Sequence, residues 1–161
     1  MTDRHCSENE NKTQANLWAE FKKNLPAGRP LIGIDYGAVR IGVAVSDKER
    51  NLAYPLKIIS KIVELDDIVR SREACGFVIG MPYQPDGTEG DTAHSVRLFA
   101  KRLEEKFGLP IFFIDERHSS TRAEGFMMDI GMRRHKIKKT LDANVARDLL
   151  QKVLNMKHET T

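Results

Sequence analysis

The chain has 161 residues, of which 40% are hydrophobic and 30% are charged. This length fits one domain, and this composition is too apolar for a wholly disordered protein. Lysine and arginine exceed aspartate and glutamate by 26 to 23, a net charge of +3 that excludes a histone-like polycationic protein and does not by itself indicate a nucleic-acid partner.

Residues 1–30 are predicted to be a flexible leader. Residues 1–16 are polar and are expected to be disordered. Residues 17–25 are predicted to form a short amphipathic helix, because apolar residues recur at helical spacing at Leu17, Trp18, Phe21 and Leu25. The helix could contact a partner, but docking on the domain is favoured because a lone tryptophan usually packs into a core.

The folded domain is predicted to span residues 31–156, with a short tail at 157–161. Apolar runs bounded by turn residues predict five strands, at residues 31–36, 41–46, 53–59, 77–79 and 111–114. The short link between the first two strands predicts an antiparallel hairpin. Pro55 places the third strand near an edge of the sheet, because proline cannot donate to the ladder.

Helical periodicity predicts the remaining elements. Helices are expected from Ile62 to Ala74, from Asp91 to Phe107, from Thr121 to Ile130, and from an N-cap at Thr140 to Leu154, with a basic loop over residues 132–140. This order predicts an α/β fold with a mixed five-stranded sheet flanked by helices. The sheet opens with an antiparallel three-strand meander and continues through parallel crossovers.

Three acidic residues occupy positions where a carboxylate is unexpected. Asp35 interrupts an apolar strand, and Glu116 follows the most apolar strand of the chain. Asp142 lies four residues before Ala146, near the sheet-facing side of the last helix. Each has a structural alternative: Asp35 as a turn cap, Glu116 in an ion pair, and Asp142 as a helix-dipole residue. Of Asp115 and Glu116, only one is expected to face the functional crevice, because strand side chains alternate.

The three carboxylates are more informative together than singly, because strand ends and a late helix can meet at one end of a sheet. Unpaired carboxylates there would repel one another and raise each other's pKa. A hard divalent cation removes this penalty, and oxygen ligands suit Mg²⁺ or Mn²⁺. Such a cluster is typical of metal sites that hydrolyse phosphodiesters.

The basic residues are concentrated between Glu116 and Asp142. Residues 117–139 hold seven lysines and arginines but only two acids, so the rest of the chain is net acidic. A solvated basic loop is one interpretation, and a contact with a phosphate backbone is the favoured one. The candidate nucleic-acid-binding residues are Arg40, Arg117, Arg122, Arg133, Arg134, Lys136, Lys138 and Lys139.

The sequence also predicts a compartment. Two cysteines, Cys6 and Cys75, cannot form a disulfide framework or a four-ligand zinc site, which indicates a reducing environment. The sequence contains no run of about 18 consecutive apolar residues, so no membrane-spanning helix is predicted. The first 24 residues also lack the apolar core of a signal peptide. We therefore expect a cytosolic protein that does not bind membranes.

A series of short motifs resembles the YqgF/RuvX family, in the family's order from about Leu31 to Leu154. Each motif alone is weak, but the set is specific. The motifs are Gly33-Ile34-Asp35-Tyr36-Gly37, Arg40-Ile41-Gly42-Val43-Ala44-Val45-Ser46-Asp47, Gly80-Met81-Pro82 with Asp86-Gly87-Thr88, Asp115-Glu116-Arg117 with Ser119-Ser120-Thr121-Arg122-Ala123-Glu124, and Asp142 with Ala146.

This resemblance implies an RNase H-like fold and a metal-dependent nuclease that processes the 5′ end of precursor 16S ribosomal RNA. By motif position, it implies that Asp35, Glu116 and Asp142 are the catalytic ligands of Mg²⁺ or Mn²⁺. The expected substrate is structured RNA. The alternatives are a DNA four-way (Holliday) junction and a non-catalytic nucleic-acid-binding accessory role. An actin-like or Hsp70-like ATPase is disfavoured, because 161 residues leave no room for a second ATP-clamping domain.

Overall fold

A computed structural model describes residues 4–116 and 134–156, with side chains described for residues 14–116 and 143–156. Within these residues, five strands form one sheet. Their bounds are β1 Leu31–Tyr36, β2 Ile41–Ser46, β3 Ala53–Ile59, β4 Gly76–Met81 and β5 Ile111–Asp115. The predicted bounds of the first three strands are confirmed, and the last two strands are slightly longer than predicted.

The sheet has the order β3-β2-β1-β4-β5. β1 pairs antiparallel with β2, and β2 pairs antiparallel with β3. β1 and β4 are parallel, as are β4 and β5. The predicted meander followed by parallel crossovers is therefore confirmed, and it is the arrangement implied for an RNase H-like fold. Pro55 lies on the edge strand β3, as predicted.

Helices cover both faces of the sheet. Their bounds are α1 Arg4–Lys23, α2 Leu65–Arg72, α3 Asp91–Phe107 and α4 Arg134–Leu154, and a 3₁₀ turn at Ile62–Glu64 leads into α2. α2 and α3 pack with one core cluster, and α1 and α4 pack with the other. Alternation along the strands sends successive side chains to the two clusters, so β1, β2 and β4 are buried on both faces, whereas the edge strand β3 is largely exposed.

The N-terminal helix is longer than expected. α1 begins at Arg4, so the predicted disorder of residues 1–16 is wrong for residues 4–16. These residues hold no glycine or proline, and a helix extends readily once its last turns are docked. Docking itself is confirmed, since Trp18 is only 2% exposed and its ring lies 5.3 Å from that of Phe112 on β5.

The last helix also differs from the prediction. α4 begins at Arg134, so residues 134–140 are helical rather than a basic loop, and Thr140 lies inside the helix instead of capping it. The reason is that lysine and arginine are good helix formers even without apolar periodicity. The helix predicted from Thr121 to Ile130 lies outside the described residues.

Candidate active site

The candidate site lies at one edge of the sheet, where three parallel strands end. Asp35 is the penultimate residue of β1, and Glu116 directly follows β5. β4 lies between these two strands and runs parallel to both. The carboxyl ends of all three strands therefore meet at the same edge, the place where ligands bind in open α/β sheets.

Glu116 is the residue that reaches the crevice, rather than Asp115. Phe112 and Ile114 belong to the core cluster on the α4 side of the sheet. Glu116 continues this alternation, and its carboxyl group shares a hydrogen bond with that of Asp35. Of the two neighbouring acids, Glu116 thus lies against Asp35, and the role of both residues as metal ligands stays a prediction.

The Glu116 carboxyl group is in an unfavourable environment for a negative charge. Burial raises its pKa above the ordinary value, and the charge of the neighbouring Asp115 raises it further. The hydrogen bond with Asp35 acts in the opposite direction. Two carboxylates in contact repel each other when both are ionised, so this arrangement favours either a shared proton or a bound cation.

The backbone fixes where Glu116 sits. Its amide donates a hydrogen bond to the carbonyl of Met81, with 3.2 Å between nitrogen and oxygen. This bond extends the β4–β5 pairing one residue beyond the last strand pair, Met81 with Asp115. The Glu116 side chain is thus held by a strand end rather than by a mobile loop, as a preorganised ligand requires.

Asp142 lies in the third turn of α4, not in the first turn of the last helix as predicted. The alternative of a helix-dipole residue therefore loses its basis, because that effect is confined to the first turn. One turn after Asp142, the carbonyl of Ala146 lies only 3.0 Å from the position a Cβ would take on Gly33 of β1. The helix backbone is thus close to the strand that carries Asp35. The side chain of Asp142 lies outside the described residues.

The described residues fit a divalent cation in their chemistry. Asp35 and Glu116 supply carboxylate oxygens, which hard cations such as Mg²⁺ and Mn²⁺ prefer. A cation would offset the repulsion between these two half-buried carboxylates. The described side chains contain no group of three or more potential metal ligands. The third predicted ligand, Asp142, falls outside that search.

Arg40 lies at the same edge, in the turn between β1 and β2. The next residue, Ile41, pairs with Tyr36, the neighbour of Asp35. The Arg40 side chain is half-buried, and its buried Nη1 atom has no hydrogen-bond acceptor among the described residues. A buried donor without an acceptor is costly, and an anionic ligand would satisfy it.

The structure describes the other predicted nucleic-acid-binding residues only in part. Arg117, Arg122 and Arg133 lie outside the described residues. Arg134, Lys136, Lys138 and Lys139 occupy the first two turns of α4, with backbone alone described. Their role in binding a phosphate backbone stays a prediction.

Gly80 is a site residue that sequence reasoning identified only as part of a motif. It lies in β4, between β1, which carries Asp35, and β5, which Glu116 follows, and Oε2 of Glu116 is close to the position that a Cβ on Gly80 would take. A glycine near the end of a buried central strand was the available signal, because such a glycine weakens the strand unless another group needs the space.

No helix in the part of the chain that the structure describes is long and apolar enough to cross a membrane.

Known proteins resemble this chain over most of its length. The family model described as "RuvX: Holliday junction resolvase" matches residues 29–156. A protein of Rickettsia bellii (strain OSU 85-389) named "Putative pre-16S rRNA nuclease" is 37% identical over 146 residues, covering 87% of this chain and 95% of that protein. One of the same name from Rhodobacter capsulatus is 39% identical over 142 residues, covering 84% and 89%. A solved structure of T. thermophilus RuvC in complex with a Holliday junction substrate covers 77% of this chain and 95% of that chain, with 11% identity and a TM-score of 0.44.

Proposed function

Because this chain belongs to the RuvX family, whose model matches residues 29–156, we propose that it is a metal-dependent endonuclease. The observation that carries the proposal is the contact between the half-buried Asp35 and Glu116 carboxyl groups at the edge of the sheet. A structural ion pair does not account for it, because two acids in contact are unfavourable without a cation or a shared proton.

Asp35, Glu116 and Asp142 would hold Mg²⁺ or Mn²⁺ in this proposal. The bound metal would supply an activated water nucleophile and positive charge beside the scissile phosphate. The two strand ends present Asp35 and Glu116 in a fixed geometry. The guanidinium of Arg40 would donate to a phosphate oxygen of the substrate, as its unsatisfied Nη1 atom suggests.

The basic residues between Glu116 and Asp142 would bind the phosphate backbone of the substrate strand. They are Arg117, Arg122, Arg133, Arg134, Lys136, Lys138 and Lys139. Contacts of this kind supply affinity without sequence specificity. They therefore support a nucleic-acid substrate without distinguishing RNA from DNA.

We propose structured RNA as the substrate, with cleavage at the 5′ end of precursor 16S rRNA, because relatives at 37% and 39% identity carry that name. This substrate would place the protein in the cytoplasm. The family description favours a second candidate, a four-way DNA junction.

The decisive variant is Asp35→Asn, which keeps the size of the side chain but removes its charge. We expect it to lower cleavage of precursor 16S rRNA in Mg²⁺ or Mn²⁺ by at least about 100-fold, since an active-site metal ligand is lost. Asp67→Asn, on the exposed side of α2, is the matched control and should cleave like the wild type. Assays of RNA and a DNA junction side by side would identify the substrate. Undiminished cleavage by folded Asp35→Asn would contradict the proposed site.

A further inference from the structure

Gly80 lies between the two carboxylates of the candidate site. In the parallel pairing of β1 with β4, Ile34 is opposite Ile79, so the next residues, Asp35 and Gly80, are level. In the pairing of β4 with β5, Gly80 is opposite Ile114, two residues before Glu116. Residue 80 therefore has Asp35 beside it on β1 and Glu116 just beyond the end of β5.

The space above Gly80 is occupied by the Glu116 carboxylate. A Cβ atom built on Gly80 would lie 2.5 Å from Oε2 of Glu116 and 3.2 Å from its carboxyl carbon. It would also lie 2.6 Å from Cδ1 of Leu149 on α4. Real Cβ contacts are not this short, so even an alanine would have to displace both groups.

Backbone conformation does not explain the glycine. Gly80 is in the middle of the sheet and does not have the positive φ that marks Gly28, Gly87 and Gly108. An L-residue could adopt its conformation without strain. Glycine in a central strand also lowers stability relative to a residue with a side chain. The glycine at this position is therefore explained by the space that its missing side chain leaves, and not by the flexibility of its backbone.

We propose that Gly80 is a positioning residue for the metal site: the absence of a side chain leaves the recess in which the Glu116 carboxylate lies beside Asp35. The proposal rests on the proposed function, because it requires these carboxylates to bind the metal. Since the Glu116 amide is bonded to the Met81 carbonyl, its backbone cannot withdraw. A methyl group at residue 80 would instead rotate the Glu116 side chain away from Asp35.

The test is Gly80→Ala, with Mn²⁺ binding measured by isothermal titration calorimetry and thermal unfolding measured without metal. We expect a folded protein that binds Mn²⁺ about 10–100-fold more weakly than wild type, the usual effect of losing a residue that orients a ligand. Wild-type affinity for Mn²⁺ would overturn the proposal.

Gly76→Ala is the matched control on the same strand. A Cβ there would lie 3.1 Å from both Cδ2 of Leu31 and the Pro110 carbonyl oxygen, so it is also crowded. Residue 76 is four positions from Gly80, about 13 Å along the strand. This variant should lose thermal stability but bind Mn²⁺ like the wild type. An equal loss of Mn²⁺ affinity in Gly76→Ala would assign the effect to general loss of packing and overturn the proposal.

A double variant, Gly80→Ala with Leu149→Val, separates the two crowded contacts. Valine lacks the Cδ1 atom, so the helix contact is relieved while the contact with Glu116 stays. The double variant should keep the Mn²⁺ defect. Recovery of wild-type affinity would assign the effect to α4 and overturn the proposal. So would unfolding of both Gly80 variants alongside a folded Gly76→Ala.

Asp35→Asn distinguishes failure of this inference from failure of the proposed function. If Asp35→Asn binds Mn²⁺ with wild-type affinity, the proposed metal site is wrong, and the proposed role of Gly80 is then wrong as well. If Asp35→Asn loses Mn²⁺ while Gly80→Ala retains it, the metal site stands and only the role of Gly80 is wrong.

Discussion

Glu116 shows how a site residue can act against the stability of its own protein. Burial raises the pKa of its carboxyl group, and the charge of Asp115 raises it further. The folded metal-free protein therefore holds the Glu116 proton more tightly than the unfolded chain does. In the unfolded chain the pKa of this carboxyl group is about 4.5, so as the pH rises past that value the unfolded chain releases the proton first. The free energy of unfolding therefore falls with rising pH until the pH exceeds the raised pKa of the folded protein. Above that pH the destabilisation is constant.

This linkage predicts that Glu116→Gln stabilises the metal-free protein at neutral pH. The amide can donate the same hydrogen bond to Asp35 without carrying a charge. Thermal unfolding followed from pH 4 to pH 8 should show a Tm advantage for the variant that grows with pH and vanishes toward pH 4. Added Mn²⁺ should reverse the order by stabilising only the wild type.

Glu105→Gln, at an exposed position on α3, is the control and should show no such pH-dependent advantage. A Glu116→Gln protein that is less stable than wild type across the whole pH range would contradict the assignment of Glu116 as a destabilising half-buried acid.

At the scale of elements, α1 is an integral part of the core although it precedes the family match at residue 29. The Trp18 ring packs against Phe21 and Phe112, with ring centroids 5.7 and 5.3 Å away. The linker that follows is held by Arg50, whose Nη1 donates to the carbonyls of Pro26 and Arg29 at 2.9 and 2.8 Å. α1 therefore packs on the α4 side of β5, and Arg50 fixes the linker that follows it.

Trp18→Ala is expected to lower the free energy of unfolding by about 3 kcal/mol, because it removes a large buried side chain. Chemical denaturation would measure the loss. Cleavage by the folded variant should be unchanged, since none of the α1 side chains that the structure describes, those of residues 14–23, belongs to the candidate site. Leu17→Ala, at the neighbouring residue that is 56% exposed, should be nearly neutral. A large loss in Leu17→Ala would contradict the docking geometry.

The helices also show where sequence patterns fail at this scale. The prediction for α3 is confirmed at both ends, because its apolar residues recur at helical spacing and Gly108, with φ 65°, ends it. The start of α4 was placed at Thr140 because the residues before it are basic and lack apolar spacing. Those residues are helical without contributing a periodic apolar face, so periodicity could not detect them.

At the scale of the whole molecule, the net charge of +3 conceals an asymmetric distribution. The excess of basic residues lies between Glu116 and Asp142, and the rest of the chain is net acidic. The net acidic charge of the rest of the chain would repel nucleic acid. The basic segment beside the candidate site would then supply most of the electrostatic attraction to the substrate. We therefore expect substrate affinity to depend strongly on salt through a few residues.

Lys138→Gln combined with Lys139→Gln should reduce the slope of log K against log salt concentration by about 1–2, if each lysine contacts one phosphate. Binding to precursor RNA measured between 50 and 200 mM salt, about a fourfold range that resolves such slopes, would check this. Lys57→Gln with Lys101→Gln removes the same charge from exposed positions elsewhere and should leave the slope nearly unchanged. Equal slopes for both double variants would contradict a role for the basic segment.

The sequence by itself determined the strands, their order along the chain and two acids of the candidate site. Alternating or continuous apolar runs specify a strand locally, and the short β1–β2 link allows only antiparallel pairing. Asp35 stood out because an acid in a buried strand is costly. Such local signals need no knowledge of distant residues.

Only the tertiary structure decided whether Asp115 or Glu116 lies beside Asp35. Phe112 and Ile114 are buried in the core cluster that α1 and α4 share, and strand alternation then directs Glu116 rather than Asp115 toward Asp35. The need for an empty position at Gly80 likewise depends on Glu116 and Leu149, which are distant in sequence. Packing between remote segments sets these distances, and no local pattern in the chain encodes them.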